Sequence, residues 1–489
     1  MHSWLVRVLA SLSAALIVAC GASDHDEPSS ATDVPNEVRV LTANTTLGLE
    51  WTAVAGATGY RIYFGTSPGV GPGSAESVDV SEAAFVHRGL ANGTTYFYVV
   101  TALAEAGESA ASAEVSATPG GDWVLEELGS GIFDDVRTGA PAARLPIERR
   151  IHLLLYAEGY TEPDLPVFHS AESHAGARDN DVDGWTDLVF GIEPYSLFRQ
   201  AFVVWFLPRA SNEQIGGDTA FSVPITFGSS TKVTGVDPSG QTAQRAWQAL
   251  EGHPFPPVFF FADGRPYAKN HVASFLIFDP ARGHASVSGV STTLVDPENP
   301  EHHLRAAFGV GHAHEFSHAF ALLRDEYMNV YSSDEVRWSA TSNVTPTSYC
   351  SELPWSHLLF GGAHNPGVDG LVGAFGTPDQ GFHSELICLM NGVQDNAQFF
   401  GGNGVLRVAR FCNFCRELTT YRLLERAQLL DGFDAWRDEY RAGFYARYGI
   451  FTPPVVPQTN NVDDPAAGTP IYMPCTPDSD VIPPPDDGQ

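Results

Sequence analysis

Residues 314–327 read His-Glu-Phe-Ser-His-Ala-Phe-Ala-Leu-Leu-Arg-Asp-Glu-Tyr, and small or apolar residues stand on both sides of this stretch's two histidines. This composition predicts a buried α-helix. Because residues four apart on a helix lie one above the other, His314 and His318 can present imidazole nitrogens to one metal ion at about 2.0–2.1 Å. Glu315 lies beside the pair, where it can take a proton from a metal-bound water. The spacing predicts a zinc site with a general base; a packed amphipathic helix merely flanked by histidines is the alternative.

A third protein ligand is expected from the polar residues that follow, because catalytic zinc usually takes three protein ligands and leaves one position for water. Asp325 is the first candidate, since it lies on the histidine face of the helix but about 10.5 Å further along the axis than His318. The helix is therefore expected to end or bend near Leu323 or Arg324. Glu326 is the ligand instead if the bend falls one residue later, and the residues alone leave both assignments open.

The same stretch resembles the signature of the IgA-peptidase family of zinc metallopeptidases, whose helix carries the metal motif and then an Asp-Glu-Tyr. Segments 151–161 and 201–213 are similar to the family's opening strand and to its second strand and loop. Cys388-Leu389-Met390 and the later Phe411-Cys412-Asn413-Phe414-Cys415-Arg416-Glu417 are like its downstream pattern. Ser317 departs from the family, which commonly has Gly there. The resemblance covers roughly residues 145–447 and implies an α+β zincin-like fold that hydrolyses peptide bonds.

A smaller β-domain is predicted ahead of this part, over residues 34–119. Short alternating runs such as 59–64 are separated by Gly, Pro and Asn-Gly turns, which predicts a seven-strand sandwich. The pattern resembles a fibronectin type III module, with Trp51 as the core tryptophan and Leu90 with Tyr96 as the corner pair. Sandwiches of this kind serve many functions. A spacer is favoured here over a weak surface-adhesion module.

The N-terminus predicts export. Arg7 precedes an apolar run from Val8 to Ala19, which is typical of a secretion signal and too short for a comfortable membrane span. The run ends in Ala-Cys-Gly and resembles the bacterial lipobox, in which Cys20 becomes the lipidated first residue. No Asp follows Cys20, so the expected location is the outer membrane or cell surface. An ordinary cleaved signal peptide with an incidental cysteine is the alternative.

Charge and length limit the binding partners and the domain organisation that are expected for this chain. The 489 residues include 58 acidic and 27 basic side chains, for a net charge of −31. Such a chain repels nucleic acid, which is therefore not an expected partner. The predicted organisation is multidomain, an all-β fibronectin type III sandwich followed by an α+β zincin-like metallopeptidase. In order, it has a signal peptide (1–19), a tether (20–33), the sandwich (34–119), a docking linker (120–144), the metallopeptidase domain (145–450) and a Pro-rich tail (451–489).

Five cysteines remain if Cys20 is the anchor, and export places them in an oxidising compartment: Cys350, Cys388, Cys412, Cys415 and Cys475. Disulfides are the default there and are favoured. The Cys412-x-x-Cys415 pair is alternatively half of a zinc site or a redox motif, but the sequence shows no second pair of this spacing. The odd count leaves one thiol over, for which Cys475 in the tail is the best candidate.

Acidic residues alternate in the run from 179 to 187, Asp-Asn-Asp-Val-Asp-Gly-Trp-Thr-Asp. Alternating carboxylates before a Gly turn can wrap oxygens around Ca²⁺. Phe190 stands where an EF-hand has Glu, and a solvated acidic loop is the alternative. The candidate calcium ligands are Asp179, Asp181, Asp183 and Asp187.

The motif and the resemblance together predict a zinc endopeptidase acting on protein or peptide substrates. Zinc polarises the scissile carbonyl, and Glu315 takes the proton of the water and later gives it to the leaving amine. Tyr327 is the candidate donor to the oxyanion. Met390 either forms a turn beneath the metal or is a plain core methionine. The alternatives are an inactive surface-binding protein that works through the fibronectin-type module and a zinc enzyme acting on a non-peptide bond. The intact Glu315, which binds no metal, favours an enzyme over the binding protein.

Overall fold

A computed structural model of the chain describes residues 33–73, 76–158, 161–164, 190–212, 259–264, 272–279, 284–291, 313, 316–317, 320–324, 326, 338–346, 349–359, 372, 375–377, 381–385, 388–391 and 411–450. The predicted lipid anchor Cys20, the calcium candidates Asp179, Asp181, Asp183 and Asp187, and the Pro-rich tail lie outside the described residues. Within these ranges, no helix is long and apolar enough to cross a membrane.

The N-terminal domain is a β-sandwich of two antiparallel sheets. The first sheet has the order β1-β2-β5, with β1 (Arg39–Ala43), β2 (Thr46–Glu50) and β5 (Ala84–His87). The second has the order β4-β3-β6-β7, with β3 (Gly59–Gly65), β4 (Glu76–Val80), β6 (Tyr96–Ala104) and β7 (Gly107–Glu108). The strand β8 (Val115–Ala117) also pairs with β6, on which β7 and β8 occupy successive stretches. The predicted β-sandwich is confirmed.

The core and the corner of the sandwich contain the residues expected there. Trp51 is fully buried, and the Tyr60 ring meets it edge-on with 5.2 Å between ring centroids. Leu90 is buried, and the N–H of Ala91 donates to the Tyr96 hydroxyl at 3.1 Å. This last contact is a tyrosine corner, which fixes the connection between the two sheets.

The second domain is built on a mixed sheet, whose six described strands have the order β14-β13-β12-β10-β11-β9. Its central strand β10 runs parallel to both neighbours, while the outer pairs are antiparallel. Every side chain of the apolar strand β11 is buried, as expected for a parallel strand covered on both faces. The strands are β9 (Val124–Leu128), β10 (Ile151–Glu158), β11 (Phe202–Leu207), β12 (Phe259–Gly264), β13 (Val272–Asp279) and β14 (His284–Ser291).

Shorter elements complete this domain. They are α1 (Ser356–Leu359), the hairpin β15 (Phe375–Thr377) and β16 (Gly381–His383), α2 (Asn413–Arg426), α3 (Gly432–Ala435), a π-helical segment (Trp436–Tyr440) and α4 (Arg441–Tyr448). The described residues also include 3₁₀ segments at Ile147–Arg149, Glu162–Asp164, Tyr195–Ala201, Cys350–Glu352 and Leu389–Asn391. Helical structure extends over most of residues 413–448. It is interrupted after Arg426, where Gln428 and Gly432 both take positive φ.

The two domains share a buried contact. The guanidinium of Arg150 donates to the carboxylate of Glu50 on β2, and both side chains are buried. Arg150 also donates to the carbonyl of Leu145 at 3.1 Å. A Cβ at Gly48 would overlap the side chain of Leu125 on β9, so a larger residue there would require the Leu125 side chain to move. The module expected to be a spacer is therefore packed against the following domain, through a strand that lies in the predicted linker.

Candidate functional site

The proposed zinc ligands His314, His318 and Asp325, the base Glu315 and the oxyanion donor Tyr327 lie outside the described residues. The structure does describe other residues of the motif and the chain that follows it. These described residues show where the motif helix ends and which side chains contact the chain after it.

One face of the motif segment is packed into the core. Ala313, Phe316, Ser317 and Phe320 are helical and have no exposed surface. The Phe316 and Phe320 rings stack with 5.1 Å between their centroids. The Ser317 hydroxyl donates to the carbonyl of Ala313 at 2.6 Å, and the hydroxyl of Tyr195 lies 2.8 Å from Ser317 Oγ. The Ser317 side chain thus packs against the 3₁₀ segment that contains Tyr195.

The helix ends before Leu323 and Arg324, near which its end or bend was expected. Phe320 is its last helical residue, and Leu322 has φ of 59°. A leucine in this left-handed region is uncommon. The carbonyl of Ser317 accepts from the N–H of Ala321 at 3.0 Å and from that of Leu323 at 3.3 Å, which closes the helix end. Arg426 Nε at the end of α2 donates to the carbonyl of Phe320 at 3.0 Å, where a cation complements the helix dipole.

The chain leaving the helix is held on both sides of position 325. The Asn343 side chain accepts from the Arg324 N–H at 2.7 Å and donates to the Arg324 carbonyl at 2.8 Å. The same amide donates to Glu326 Oε1 at 2.9 Å. The Glu326 N–H donates to the carbonyl of Met390, which is fully buried, at 2.8 Å. Met390 therefore fixes the segment after the motif through its backbone.

The Glu326 side chain ends in a cluster of three thiols. One ligand atom from each of Glu326, Cys388, Cys412 and Cys415 lies within 4.8 Å of the others, and all four residues are buried. The Cys415 thiol donates to Glu326 Oε1 at 3.1 Å. Glu326 Oε2 is buried and has no hydrogen-bond partner among the described residues. The cysteines are free, so the expected disulfides are wrong for these three; their sulfur atoms converge with a carboxylate instead of pairing.

Backbone amides support a thiolate at the start of α2. Cys412 is the N-cap residue, and its Sγ accepts from the N–H of Cys415 at 3.4 Å. The N–H of Cys412 in turn donates to Cys388 Sγ at 3.3 Å. Burial raises the pKa of Cys388 and of Glu326. Burial also acts to raise the pKa of Cys412, but hydrogen bonds from Cys388, Cys415 and Ser384 outweigh it and hold that pKa well below its usual value.

A buried histidine closes one side of the cluster. Nδ1 of His383 lies 2.9 Å from the carbonyl oxygen of Glu385 and 3.8 Å from Glu326 Oε2. Burial lowers the pKa of His383 to about 4, so the ring is neutral at pH 7 and its Nδ1–H donates to the carbonyl. The ring therefore supplies no positive charge to the carboxylate.

This cluster can hold a metal ion. Three sulfur atoms and one carboxylate oxygen form a four-ligand set, and thiolates are the ligands that zinc and other soft metals prefer. The sequence pattern indicated Glu326 only as an alternative ligand for the histidine site, and it favoured disulfides for the cysteines. The Cys412-x-x-Cys415 spacing was a signal for the cluster. What the sequence did not show was that Cys388 and Glu326 complete it.

A search of solved structures finds fibronectin type III domains. The FN1–FN3 domains of chicken CNTN1 are 25% identical, with a TM-score of 0.17, over 18% of this chain and 31% of that chain. An Fn3-like protein from Clostridium thermocellum is 27% identical, with a TM-score of 0.16, over 20% of this chain and 99% of that chain. The FN5 domain of Drosophila Lar is 25% identical, with a TM-score of 0.16, over 19% of this chain and 100% of that chain. The N-terminal domain is a fibronectin type III-like module, as its own strand order and tyrosine corner show.

No protein-family profile matches the chain, and a search of the curated proteins finds no match.

Proposed function

We propose that this protein is a zinc-dependent endopeptidase of the IgA-peptidase type, exported and lipid-anchored through Cys20 at the bacterial cell envelope. Its substrates are proteins or peptides. In this proposal His314, His318 and Asp325 hold the zinc ion. The fibronectin-type module is a docked part of the enzyme rather than a separate binding unit.

The observation that carries the proposal is the early end of the motif helix. On a straight helix, Asp325 would lie about 10.5 Å beyond the second histidine and could not share a metal with it. The helix instead ends at Phe320, and the left-handed Leu322 redirects the chain. This break in the helix supports a third ligand from the segment after the motif.

Two further contacts support Asp325 over Glu326. The Glu326 carboxylate is engaged by Asn343 and by the Cys415 thiol. Arg324 and Glu326, which flank position 325 in the sequence, are both hydrogen-bonded to the Asn343 side chain. A metal ligand benefits from such support, because hydrogen bonds in the surrounding shell orient the ligands and raise their affinity.

The packed face of the helix agrees with this chemistry. A face formed by residues 313, 316, 317 and 320 is buried against aromatic side chains. At 100° per residue, positions 314 and 318 of a regular helix fall about 100–140° around the axis from that face. We therefore expect the two imidazoles beside the core rather than within it.

The mechanism follows from the roles of these residues. Zinc, when bound, supplies a Lewis acid for the scissile carbonyl. Glu315 takes a proton from the attacking water and returns it to the nitrogen of the leaving amine. Tyr327 donates a hydrogen bond to the oxygen that becomes negatively charged.

The test is the Glu315→Gln variant, assayed on a diverse peptide library. We expect the variant to keep its zinc, measured by elemental analysis, while cleavage falls by several orders of magnitude because only the proton transfer is removed. Glu105→Gln, an exposed change in the sandwich, is the matched control and should cleave as the wild type does. Undiminished cleavage by Glu315→Gln would refute the mechanism. A wild-type chain that binds partners but cleaves no peptide would favour a binding protein instead.

A further inference from the structure

We infer that Glu326, Cys388, Cys412 and Cys415 form a second, structural zinc site, separate from the ion that the histidine motif is proposed to hold. The site takes one Zn²⁺ with three thiolates and one carboxylate oxygen as its ligands. Its role is to fix the chain that leaves the motif helix.

The spacing of the ligand atoms fits a tetrahedral ion. Ligands about 2.3 Å from zinc in a tetrahedron lie about 3.8 Å from one another. The four ligand atoms already lie within 4.8 Å of one another. Binding the ion therefore requires side-chain shifts of the order of 1 Å.

The unpartnered carboxylate oxygen is a second, independent observation. Glu326 Oε2 is buried and has no hydrogen-bond partner in the described part of the chain. Buried polar atoms in folded proteins are nearly always partnered, and a buried charge is paired or binds a metal. Among the described residues, His383 has a basic side chain within 4 Å of this carboxylate. A cation among the three thiols would satisfy this oxygen and the sulfur atoms together.

A disulfide explains the arrangement less well than a metal ion does. Bonding two of the three sulfur atoms would leave the third thiol and the Glu326 carboxylate buried beside it. The two N–H groups that donate to Cys388 Sγ and Cys412 Sγ stabilise thiolates, which are the form that binds metal. Thiolates also favour zinc over calcium or magnesium, which prefer oxygen ligands. On binding, the thiol and carboxyl protons pass to solvent.

The site is closed and joins three separate parts of the chain. Its ligands come from the segment after the motif helix, from Cys388 just before the 3₁₀ turn at 389–391, and from the start of α2. All four ligands are protein groups and all are buried, so no position is left for substrate. A four-coordinate site of this kind is structural rather than catalytic.

The experiment uses the full chain with the histidine site removed by His314→Ala and His318→Ala. We expect the wild type to contain two zinc ions per chain and the double variant to retain one, by elemental analysis. X-ray absorption on the double variant should then show sulfur neighbours at about 2.3 Å. Cys412→Ser in the double-variant background should lose the remaining zinc, whereas Cys350→Ser is the matched control and should keep it.

A second measurement holds even if Cys412→Ser fails to fold. Wild-type protein is alkylated without reductant, before and after zinc is removed by a chelator in denaturant, and its peptides are mapped by mass spectrometry. Alkylation of Cys388, Cys412 and Cys415 only after zinc removal supports the site. A disulfide joining any two of them, free thiols in a metal-free double variant, or iron in place of zinc overturns it. Because these readouts do not involve cleavage, they stand apart from the test of the peptidase.

Discussion

The sandwich and the domain that follows it differ in where they keep their charged groups. In the sandwich, Trp51 and its neighbours form an apolar core, and the ion pair of Arg61 with Asp79 lies at the surface. In the second domain, carboxylates such as Glu326 and Glu417 have almost no exposed surface and are surrounded by polar partners. The first region is stabilised mainly by hydrophobic burial. The second also depends on buried polar groups, each of which needs a hydrogen-bonding or charged partner.

This difference decides how much of each region a sequence reveals. An alternating apolar pattern is local, since each strand shows it within a few residues. A buried polar contact joins residues that are distant along the chain. Glu326 and Cys415 are 89 residues apart, and Glu50 and Arg150 are 100 apart. The following variants test whether the second domain depends on its buried polar contacts more strongly than the sandwich depends on its polar contacts.

The largest effect is expected at position 325. Asp325→Ala should abolish cleavage and the binding of the zinc on which cleavage depends, because one of three protein ligands is lost. Glu326→Gln alters the proposed thiolate site rather than the histidine site, so it should weaken the zinc of the histidine site by no more than about 10–100-fold, as is typical for loss of a supporting contact. Activity measured against increasing chelator separates the two. If Glu326→Gln is the inactive variant and Asp325→Ala is active, the two roles must be exchanged.

The next largest effect is expected at the contact between the domains. Arg150→Met leaves the Glu50 carboxylate buried without its cation, which destabilises the protein by about 3–5 kcal/mol. Combining it with Glu50→Leu should restore most of this loss, because no unpaired charge remains. Urea unfolding of both variants checks the prediction. Equal destabilisation of the single and double variants would show that packing, not charge, holds the interface.

An acid-dependent effect is expected at Glu417, which accepts from His357, Arg441, Tyr445 and the Trp436 indole. Burial acts to raise the pKa of Glu417, but His357 and these other partners outweigh it and lower the pKa to about 2 from 4.5. The stabilisation is therefore present above about pH 4.5 and is lost as the pH falls towards 2. A shift of this size corresponds to about 3 kcal/mol.

Glu417→Gln removes this titration. The difference in unfolding free energy between wild type and variant should be largest at pH 7 and should shrink steadily below pH 4.5. Urea unfolding followed by tryptophan fluorescence at several pH values measures it. A difference that does not change with pH would contradict the lowered pKa.

The smallest effect is expected in the sandwich. Tyr96→Phe removes the hydrogen bond from the Ala91 N–H and keeps the ring, so it should destabilise the module by about 1 kcal/mol. Hydrogen exchange at the Ala91 amide should become faster, while exchange in α2 stays unchanged. Faster exchange throughout the second domain would mean that the two regions unfold as one unit.

Much of the sandwich could be predicted from its residues, including the buried Trp51 and the corner formed by Leu90 and Tyr96. Each of these rests on short-range alternation and on turn residues. The helix end near the motif was expected on geometric grounds, but its position was missed because nothing in the sequence marks Leu322 for the left-handed region.

The thiol cluster could be predicted only in part. Cys412 and Cys415 stood out through their spacing, and the resemblance included Cys388 in the same downstream pattern. Disulfides were favoured because an exported chain with several cysteines normally forms them. The convergence of three thiols on Glu326 depends on how α2 packs against the segment after the motif, and no local pattern contains that information.

The ion pair between Glu50 and Arg150 has a consequence for the order in which the chain folds. The N-terminal sandwich leaves the ribosome before residue 150 does, and domains generally fold as they emerge. During that interval Glu50 can remain hydrated on an uncovered β2. Once residue 150 has been synthesised, the Arg150 guanidinium can pair with that carboxylate, and β9 can pack against the β2 surface at Gly48. The folded sandwich thus provides a surface against which β9, the first strand of the next domain, packs.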